Sequence, residues 1–264
     1  MSLMLRRAGD RINRRTGRIS NGYLRLLRDL SPRDAVAETG TTPAGRMPPA
    51  EDRHFEAEPG PDAHAIAVRE AFLLDLVPFA PGDHIVEIGA NVGDFAQALQ
   101  TFNMPFDLTC FEPAPREFRA LSRNLANATG LTARARQAAV WNADADAVTL
   151  YRKAAGAEAS LLPMEDYDST TEVPAIRLDS VLERRPYRLL KLEAKGAEPE
   201  ILDGAKGILD CFQYITADVG FERGARQDST LPEVSNHLIS RGWRARAVGR
   251  RRMIILFENP KWGN

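Results

Sequence analysis

Apolar and amphipathic segments alternate along the chain from residue 64 onwards. Short continuous apolar runs are typical of strands buried on both faces, whereas apolar positions at i, i+3, i+4 and i+7 are typical of helices that cover a sheet. The predicted central strands are residues 84–88, 107–111, 132–141, 188–193 and 214–218, and the predicted helices are residues 64–78, 95–102, 118–125, 198–209 and 231–241. This alternation predicts an α/β fold with a doubly wound, Rossmann-like parallel sheet.

Two pairs of shorter strands are predicted beside this regular alternation. Residues 147–152 and 173–178 flank a polar loop at residues 153–172. Residues 243–248 and 253–257 flank Gly249 and three arginines, a pattern that predicts a terminal antiparallel hairpin. Surface loops often carry recognition residues, and the candidates in the polar loop are Ser160, Glu165, Asp166 and Tyr167.

The chain before residue 64 follows neither pattern. Residues 31–63 are rich in proline and predict a linker or wrapping segment. Residues 1–30 form a basic arm with eight arginines and two aspartates, which is a charge of +6 in a chain of net charge −1. Four apolar positions at helical spacing predict a short amphipathic helix in this arm: Tyr23, Leu26, Leu27 and Leu30. Contact with an anionic membrane, RNA, its own domain or a second subunit stays open, as does a solvated arm.

Composition narrows the class of protein. The chain has 264 residues, of which 44% are hydrophobic and 27% charged, as in ordinary globular proteins. It contains no apolar run of the roughly 18 residues that a membrane span needs, and its balanced charge gives no overall field that would attract nucleic acid. Cys110 and Cys211 are interpreted as structural thiols, without a disulfide framework or a metal cluster. No secretory signal is recognised, so a cytoplasmic location is expected.

The most informative motif is a glycine loop between a predicted strand and a predicted helix. It begins at Glu87 and contains Gly89, Asn91 and Gly93, and the next strand ends at Glu112, 23 residues after Gly89. Glycines let a ligand approach the backbone, and a carboxylate at this interval can accept hydrogen bonds from both hydroxyls of a ribose. The loop lacks the three glycines of a dinucleotide site, which disfavours nicotinamide and flavin cofactors. An acidic residue at the strand end would repel phosphate but hold an ammonium group, a charge pattern that fits S-adenosylmethionine.

Three motifs together resemble the FkbM-type S-adenosylmethionine-dependent methyltransferases in order and spacing. They are residues 86–93 (VEIGANVG), 111–113 (FEP) and 190–202 (LKLEAKGAEPEIL). The resemblance extends over residues 64–258 and implies a seven-stranded methyltransferase sheet that ends in an antiparallel hairpin. It also implies methyl transfer to oxygen, typically to a hydroxyl of a sugar, glycan or polyketide-like product. By position, the resemblance implies that the amino-acid end of the cofactor contacts Glu87, Gly89, Asn91 and Gly93, and that its ribose contacts Glu112.

The chain departs from the family pattern at one place. After the fourth central strand the family usually has two acids separated by one residue, whereas here Glu193 keeps the first position and Lys195 occupies the second. A lysine is neither a carboxylate base nor a metal ligand at neutral pH unless burial lowers its pKa strongly. The metal requirement therefore stays open, and no metal-binding residues are predicted. Glu193 and Asp218 are the candidate catalytic bases, each with an alternative structural role in binding a helix N-terminus or capping a strand.

These observations predict an S-adenosylmethionine-dependent O-methyltransferase, with the methyltransferase domain at residues 64–264 behind the arm and the linker. The expected acceptor is a hydroxyl of a carbohydrate, a glycolipid or a related natural product. The alternatives are a non-catalytic S-adenosylmethionine-binding module that acts through its basic arm, and an RNA methyltransferase. The arm predicts peripheral contact with an anionic membrane, nucleic acid is not an expected partner, and a homo-oligomer stays open.

Overall fold

The computed structural model describes residues 63–153 and 158–262. The predicted arm of residues 1–30 and all but the last residue of the predicted linker lie outside the described residues. The helices are α1 (Ala63–Ala71), α2 (Asp94–Gln100), α3 (Pro115–Ala126), α4 (Leu178–Val181), α5 (Glu198–Gly204) and α6 (Leu231–Ile239). The strands are β1 (Asp83–Ile88), β2 (Phe106–Phe111), β3 (Leu131–Arg136), β4 (Ala139–Val140), β5 (Ala145–Lys153), β6 (Glu158–Ser160), β7 (Ser169–Ile176), β8 (Tyr187–Leu192), β9 (Phe212–Asp218), β10 (Phe221–Arg223), β11 (Asp228–Ser229), β12 (Arg244–Val248) and β13 (Ile254–Glu258).

Seven strands form the central sheet, in the order β12-β13-β9-β8-β1-β2-β3. The strands β9, β8, β1, β2 and β3 are parallel to one another. At the other edge β13 is antiparallel to β9, and β12 is antiparallel to β13. The predicted doubly wound α/β fold and its terminal hairpin are confirmed. The strand order changes direction between β1 and β8, and doubly wound sheets bind ligands at the carboxyl edge beside such a switch point.

Alternate residues of the central strands build a core on each face of the sheet. On one face Ile85 of β1 belongs to a buried cluster with Leu99 of α2, and on the other face Val86 belongs to a cluster with Ile201 of α5. All four side chains are at most 1% exposed. Full burial of an aliphatic side chain of this size contributes about 1.5–3 kcal/mol to folding. The two cores fix the strands, and therefore fix the loops at their carboxyl ends.

The segment predicted as a third strand, residues 132–141, divides between two sheets. It pairs with β2 only as far as Arg136, and the N–H of Ala138 then donates to the carbonyl of Arg136 in a turn, at 3.1 Å. The chain continues as β4, which belongs to a four-stranded sheet of order β4-β7-β5-β6. This smaller sheet contains the two predicted extra strands, except that β7 ends at Ile176 and Leu178 lies in α4.

Two predicted helices are much shorter in the structure. The helix predicted over residues 64–78 ends at Ala71, because Leu73 adopts a left-handed conformation (φ 59°) before a single 3-10 turn at Leu74–Leu76. Leu76, which lies within the predicted helix, is 44% exposed. The helix predicted over residues 198–209 ends at Gly204, where a Cβ would lie 1.9 Å from the carbonyl oxygen of Trp141. The apolar periodicity of the sequence indicates neither the left-handed Leu73 nor the contact between Gly204 and Trp141.

Candidate functional site

The carboxyl ends of four parallel strands meet at one edge of the central sheet. These strands are β1, β2, β8 and β9. Their last residues and the loops that follow them carry every residue that the sequence predicts for cofactor binding or catalysis. The contact between β1 and β8 brings the first and third motifs together, since Glu87 is paired in register with Lys191. The structure therefore unites motifs that are about a hundred residues apart in the chain, as a doubly wound topology requires.

The glycine loop passes directly beneath the backbone that follows β8. Gly89 has a φ of 74°, and a Cβ on it would lie 1.8 Å from the carbonyl oxygen of Glu193. Gly93, with a φ of 101°, leads into α2. Between them Asn91 also has a positive φ, of 50°, and its Oδ1 atom is buried without a hydrogen-bond partner among the described residues. The loop thus offers a buried acceptor that no described residue uses.

Glu112 ties the end of β2 to this loop. Its Oε2 accepts from the N–H of Asn91 at 2.7 Å and its Oε1 accepts from the N–H of Ala114 at 2.8 Å, and the residue is 6% exposed. Burial raises the pKa of Glu112 to about 7, although the two backbone donors act in the opposite direction. A carboxylate oxygen can accept more than one hydrogen bond, so Glu112 keeps acceptor capacity for the hydroxyls of a ribose.

Lys191 is a functional candidate that sequence reasoning missed. Its Nζ donates to the carbonyl of Gly89 at 2.8 Å and lies 3.3 Å from Oε1 of Glu87, and both side chains are almost fully buried. Burial opposes the charge of Lys191, but Glu193 and Glu87 raise its pKa. The sequence does contain a signal for Lys191, because a lysine within an apolar strand is buried and a buried charge requires a partner.

The environment of Glu87 bears on its predicted role. Its carboxylate is fully buried, and besides Lys191 it accepts a hydrogen bond from the thiol of Cys110 at 3.3 Å. Burial raises the pKa of Glu87 to about 7, although Lys191 acts in the opposite direction. The cation beside Glu87 in this structure is therefore the protein's own lysine, and contact with the ammonium group of a cofactor stays a prediction.

The two predicted bases share one arginine. Arg252, from the turn between β12 and β13, forms ion pairs with both Glu193 and Asp218. Lys191 also lies 3.2 Å from Oε2 of Glu193. Burial alone would raise the pKa of Glu193, but Lys191 and Arg252 lower it to about 2. Glu193 is therefore firmly ionised. Arg252 was visible in the sequence only as one of three arginines in a hairpin turn.

Lys195, the departure from the family pattern, has a carboxylate partner from another element. Its Nζ lies 2.7 Å from Oε1 of Glu222 in β10, and their side chains are 30% and 34% exposed. Burial lowers the pKa of Lys195, but Glu222 and Glu193 raise it overall. The hydroxyl of Ser160 donates to the carbonyl of Lys195 at 2.9 Å, which brings the predicted polar loop to this edge. Glu222 thus places a carboxylate beside the position where the family has its second acid.

Two kinds of feature are absent from the described residues. Within residues 63–153 and 158–262, no group of three or more His, Cys, Asp or Glu side chains could hold a metal ion. None of the helices in these ranges is long and apolar enough to cross a membrane.

The residues of this edge lie in a segment that matches a known protein family. The model of the methyltransferase FkbM domain matches residues 87–244, a segment that contains all the predicted site residues. "Methyltransferase 1" of Beauveria bassiana (strain ARSEF 2860) is 29% identical over 154 residues, which is 49% of this chain and 61% of that protein. This chain therefore matches less than two thirds of its relative's length.

Two solved methyltransferases align with this chain at low sequence identity. The magnesium protoporphyrin IX methyltransferase of Synechocystis PCC 6803 is 10% identical, with a TM-score of 0.44 over 74% of this chain and 77% of that chain. The ribosomal protein L11 methylase of Lactobacillus delbrueckii subsp. bulgaricus is 9% identical, with a TM-score of 0.44 over 79% of this chain and 89% of that chain.

Proposed function

Because this chain belongs to the FkbM family of S-adenosylmethionine-dependent methyltransferases, we propose that it methylates a hydroxyl group of a carbohydrate, a glycolipid or a related natural product. The observation that carries the proposal is the family match over residues 87–244, which contains the glycine loop, Glu112 and Glu193. The loop and the carboxylates lie together at the ligand-binding edge of the sheet, which supports a reaction at that place.

The residues at this edge fit S-adenosylmethionine. Glu112 has acceptor capacity for a ribose, and the unpartnered Oδ1 of Asn91 suits a cationic or N–H donor from the amino-acid end of the cofactor. The close approach of Gly89 to the carbonyl of Glu193 leaves no room for a side chain at position 89. When bound, this cofactor supplies a methyl group on a positively charged sulfur, so the protein must orient the acceptor and take its hydroxyl proton.

The geometry favours Glu222 over Glu193 and Asp218 as the group that takes this proton. A carboxylate with a pKa of about 2 accepts a proton poorly, which argues against Glu193 as the base. Asp218 is 4% exposed and shares Arg252 with Glu193. Glu222 is more exposed, and among the described residues its ion-pair partner is Lys195, so an acceptor hydroxyl can reach it. We assign to Glu193 and Asp218 the positioning of Arg252.

Substitution of the carboxylates tests this division of roles. Glu222→Gln should lower kcat by about a hundredfold or more, because general bases contribute that much, and should leave cofactor affinity unchanged. The measurement is the steady-state rate with a labelled methyl group. Glu233→Gln, at an exposed position of α6, is the matched control and should keep full activity. Full kcat in Glu222→Gln would overturn the assignment.

Methyl transfer from radiolabelled S-adenosylmethionine into a cell extract tests the proposed function. Label in the carbohydrate or lipid fraction that acid hydrolysis releases as an O-methyl sugar would support it. Label that ribonuclease solubilises would support an RNA methyltransferase instead. Cofactor binding without any transferred label would support a non-catalytic binding module.

A further inference from the structure

Two arginines at the tip of the terminal hairpin have no partner within the described part of the chain. Arg250 and Arg251 are exposed, and neither forms a hydrogen bond or an ion pair with another described residue. Arg252, which follows them, is bound to both Glu193 and Asp218. The tip thus has one arginine engaged in the site and two that are free to bind a ligand.

Backbone hydrogen bonds fix this tip at the carboxyl edge of the sheet. The N–H of Gly249 donates to the carbonyl of Ile254 at 2.7 Å, and the N–H of Ile254 donates to the carbonyl of Arg252 at 2.8 Å. The N–H of Val219, the residue after β9, donates to the carbonyl of Met253 at 2.8 Å. The turn is therefore joined to the end of the strand that carries Asp218, so residues 250 and 251 flank the proposed reaction site.

No described carboxylate forms an ion pair with either of these two arginines. Three carboxylates of the edge already have cations: Arg252 pairs with Glu193 and Asp218, and Lys195 pairs with Glu222. A guanidinium group offers a planar fork of donors that matches a carboxylate or a phosphate in bidentate geometry. An anion that arrives with a ligand is the partner still available to them.

We propose that Arg250 and Arg251 bind an oxyanion group, a phosphate or a carboxylate, carried by the methyl acceptor. This inference rests on the proposed function and narrows its substrate class to acidic hydroxyl compounds, such as sugar phosphates or sugar acids. The arginines hold the anionic group at the rim of the site, while the hydroxyl lies further in, towards Glu222. The tip lies outside the segment matched by the family model, which ends at residue 244.

Binding of inorganic phosphate and of acetate to the full chain, saturated with S-adenosylhomocysteine, tests the tip without turnover. The comparison is between the unmodified protein, Arg250→Ala/Arg251→Ala, and Arg119→Ala/Arg123→Ala. The last variant removes the same charge from exposed positions of α3. We expect the tip variant to lose about tenfold or more in affinity for at least one of the two anions, as charged hydrogen bonds imply, and the α3 variant to lose little. Equal affinities in all three proteins would overturn the inference, and the preferred anion distinguishes phosphate from carboxylate.

Anion-exchange chromatography of the labelled product from a cell extract tests the same inference in the reaction. A retained product supports it, and loss of retention after phosphatase treatment identifies the phosphate. With the retained acceptor purified, Arg250→Ala/Arg251→Ala should raise KM by about tenfold and leave kcat nearly unchanged. A labelled product that is not retained would overturn the inference but not the proposed function. A complete lack of label would count against the proposed function. The phosphate and acetate titrations would still show whether the tip binds an anion.

Discussion

Two buried glutamates hold the turns that follow parallel strands. Glu112 accepts from two backbone N–H groups after β2, and Glu198 accepts from the N–H groups of Ala194 and Gly196 after β8, at 2.8 and 3.3 Å. Burial raises the pKa of each to about 7, even though these backbone donors lower it. The same residue type thus shapes both loops of the site, and both carboxyl groups change charge near neutral pH.

The pKa of Glu198 predicts a pH dependence of stability. Between its ordinary value of 4.5 and about 7 the folded state binds more protons than the unfolded state, so the free energy of unfolding falls as pH rises through this window. The contribution is about 3 kcal/mol at most. Glu198→Gln should reduce this slope, as measured by urea denaturation from pH 5 to 8. Exposed Glu165→Gln is the control, and an unchanged slope in Glu198→Gln would contradict the prediction.

Glu112 is also where the cofactor prediction is tested most directly. Glu112→Ala removes the proposed ribose contact and the tie to Asn91, so affinity for S-adenosylmethionine and S-adenosylhomocysteine should fall by about tenfold to a hundredfold. Calorimetric titration of both ligands measures this. Binding that Glu112→Ala leaves intact would remove Glu112 from the cofactor site, and no binding by the unmodified protein would refute the cofactor assignment.

At the scale of elements, the decisive contact is the crossing of the loop after β1 and the segment after β8. Gly89 lies beneath the carbonyl of Glu193, and the N–H of Glu193 donates to the carbonyl of Ile88 at 3.2 Å. This contact sets the distance between the glycine loop and the charged residues of the edge. A side chain at position 89 would separate the two motifs that form the site.

Alanine substitution at two glycines with similar φ values separates the effect of this crossing from that of backbone strain. Gly82→Ala introduces a Cβ at a φ of 83° with no atom within 4 Å, so it should cost only the strain of a left-handed residue, about 1–2 kcal/mol. Gly89→Ala has a similar φ but places a Cβ 1.8 Å from the carbonyl oxygen of Glu193. It should lower the Tm much further and abolish cofactor binding. Equal Tm values for the two variants would show that the loops separate at little cost.

At the scale of the whole molecule, charge is distributed unevenly along the chain. Residues 1–30 carry +6 while the net charge of the chain is −1, so residues 31–264 carry −7. Basic segments with an apolar stripe bind anionic membrane surfaces, with each basic residue contributing about 1 kcal/mol near the surface. We therefore propose that the arm brings the enzyme to an anionic membrane.

Deletion of residues 1–30 tests the proposed role of the arm. The shortened protein should lose sedimentation with phosphatidylglycerol vesicles, while its affinity for S-adenosylhomocysteine stays unchanged, since the site residues all lie between 87 and 252. Phosphatidylcholine vesicles are the control, and added salt should weaken binding by the full chain. Undiminished sedimentation after deletion would refute the proposal.

The sequence by itself determined the fold class, the order of strands and helices along the chain, and the family. These rest on local patterns: buried apolar runs, helical spacing, and a glycine loop followed at a fixed interval by Glu112. Strand positions agree closely with the structure for β1, β2, β8 and β9. Helix ends agreed less well, because a left-handed Leu73 and the contact of Gly204 with Trp141 depend on neighbours outside each helix.

Only the tertiary structure decided which charges meet. Lys191 pairs with Glu87 across two strands, Arg252 reaches Glu193 from the terminal hairpin, and Glu222 lies beside Lys195. Each pair joins residues that are 27 to 104 positions apart in the chain. No local pattern encodes such pairs, since their geometry comes from the crossing of strands and loops at the sheet edge. The same contacts set the pKa of Glu193, because ionisation depends on burial and on the nearest charges rather than on residue type.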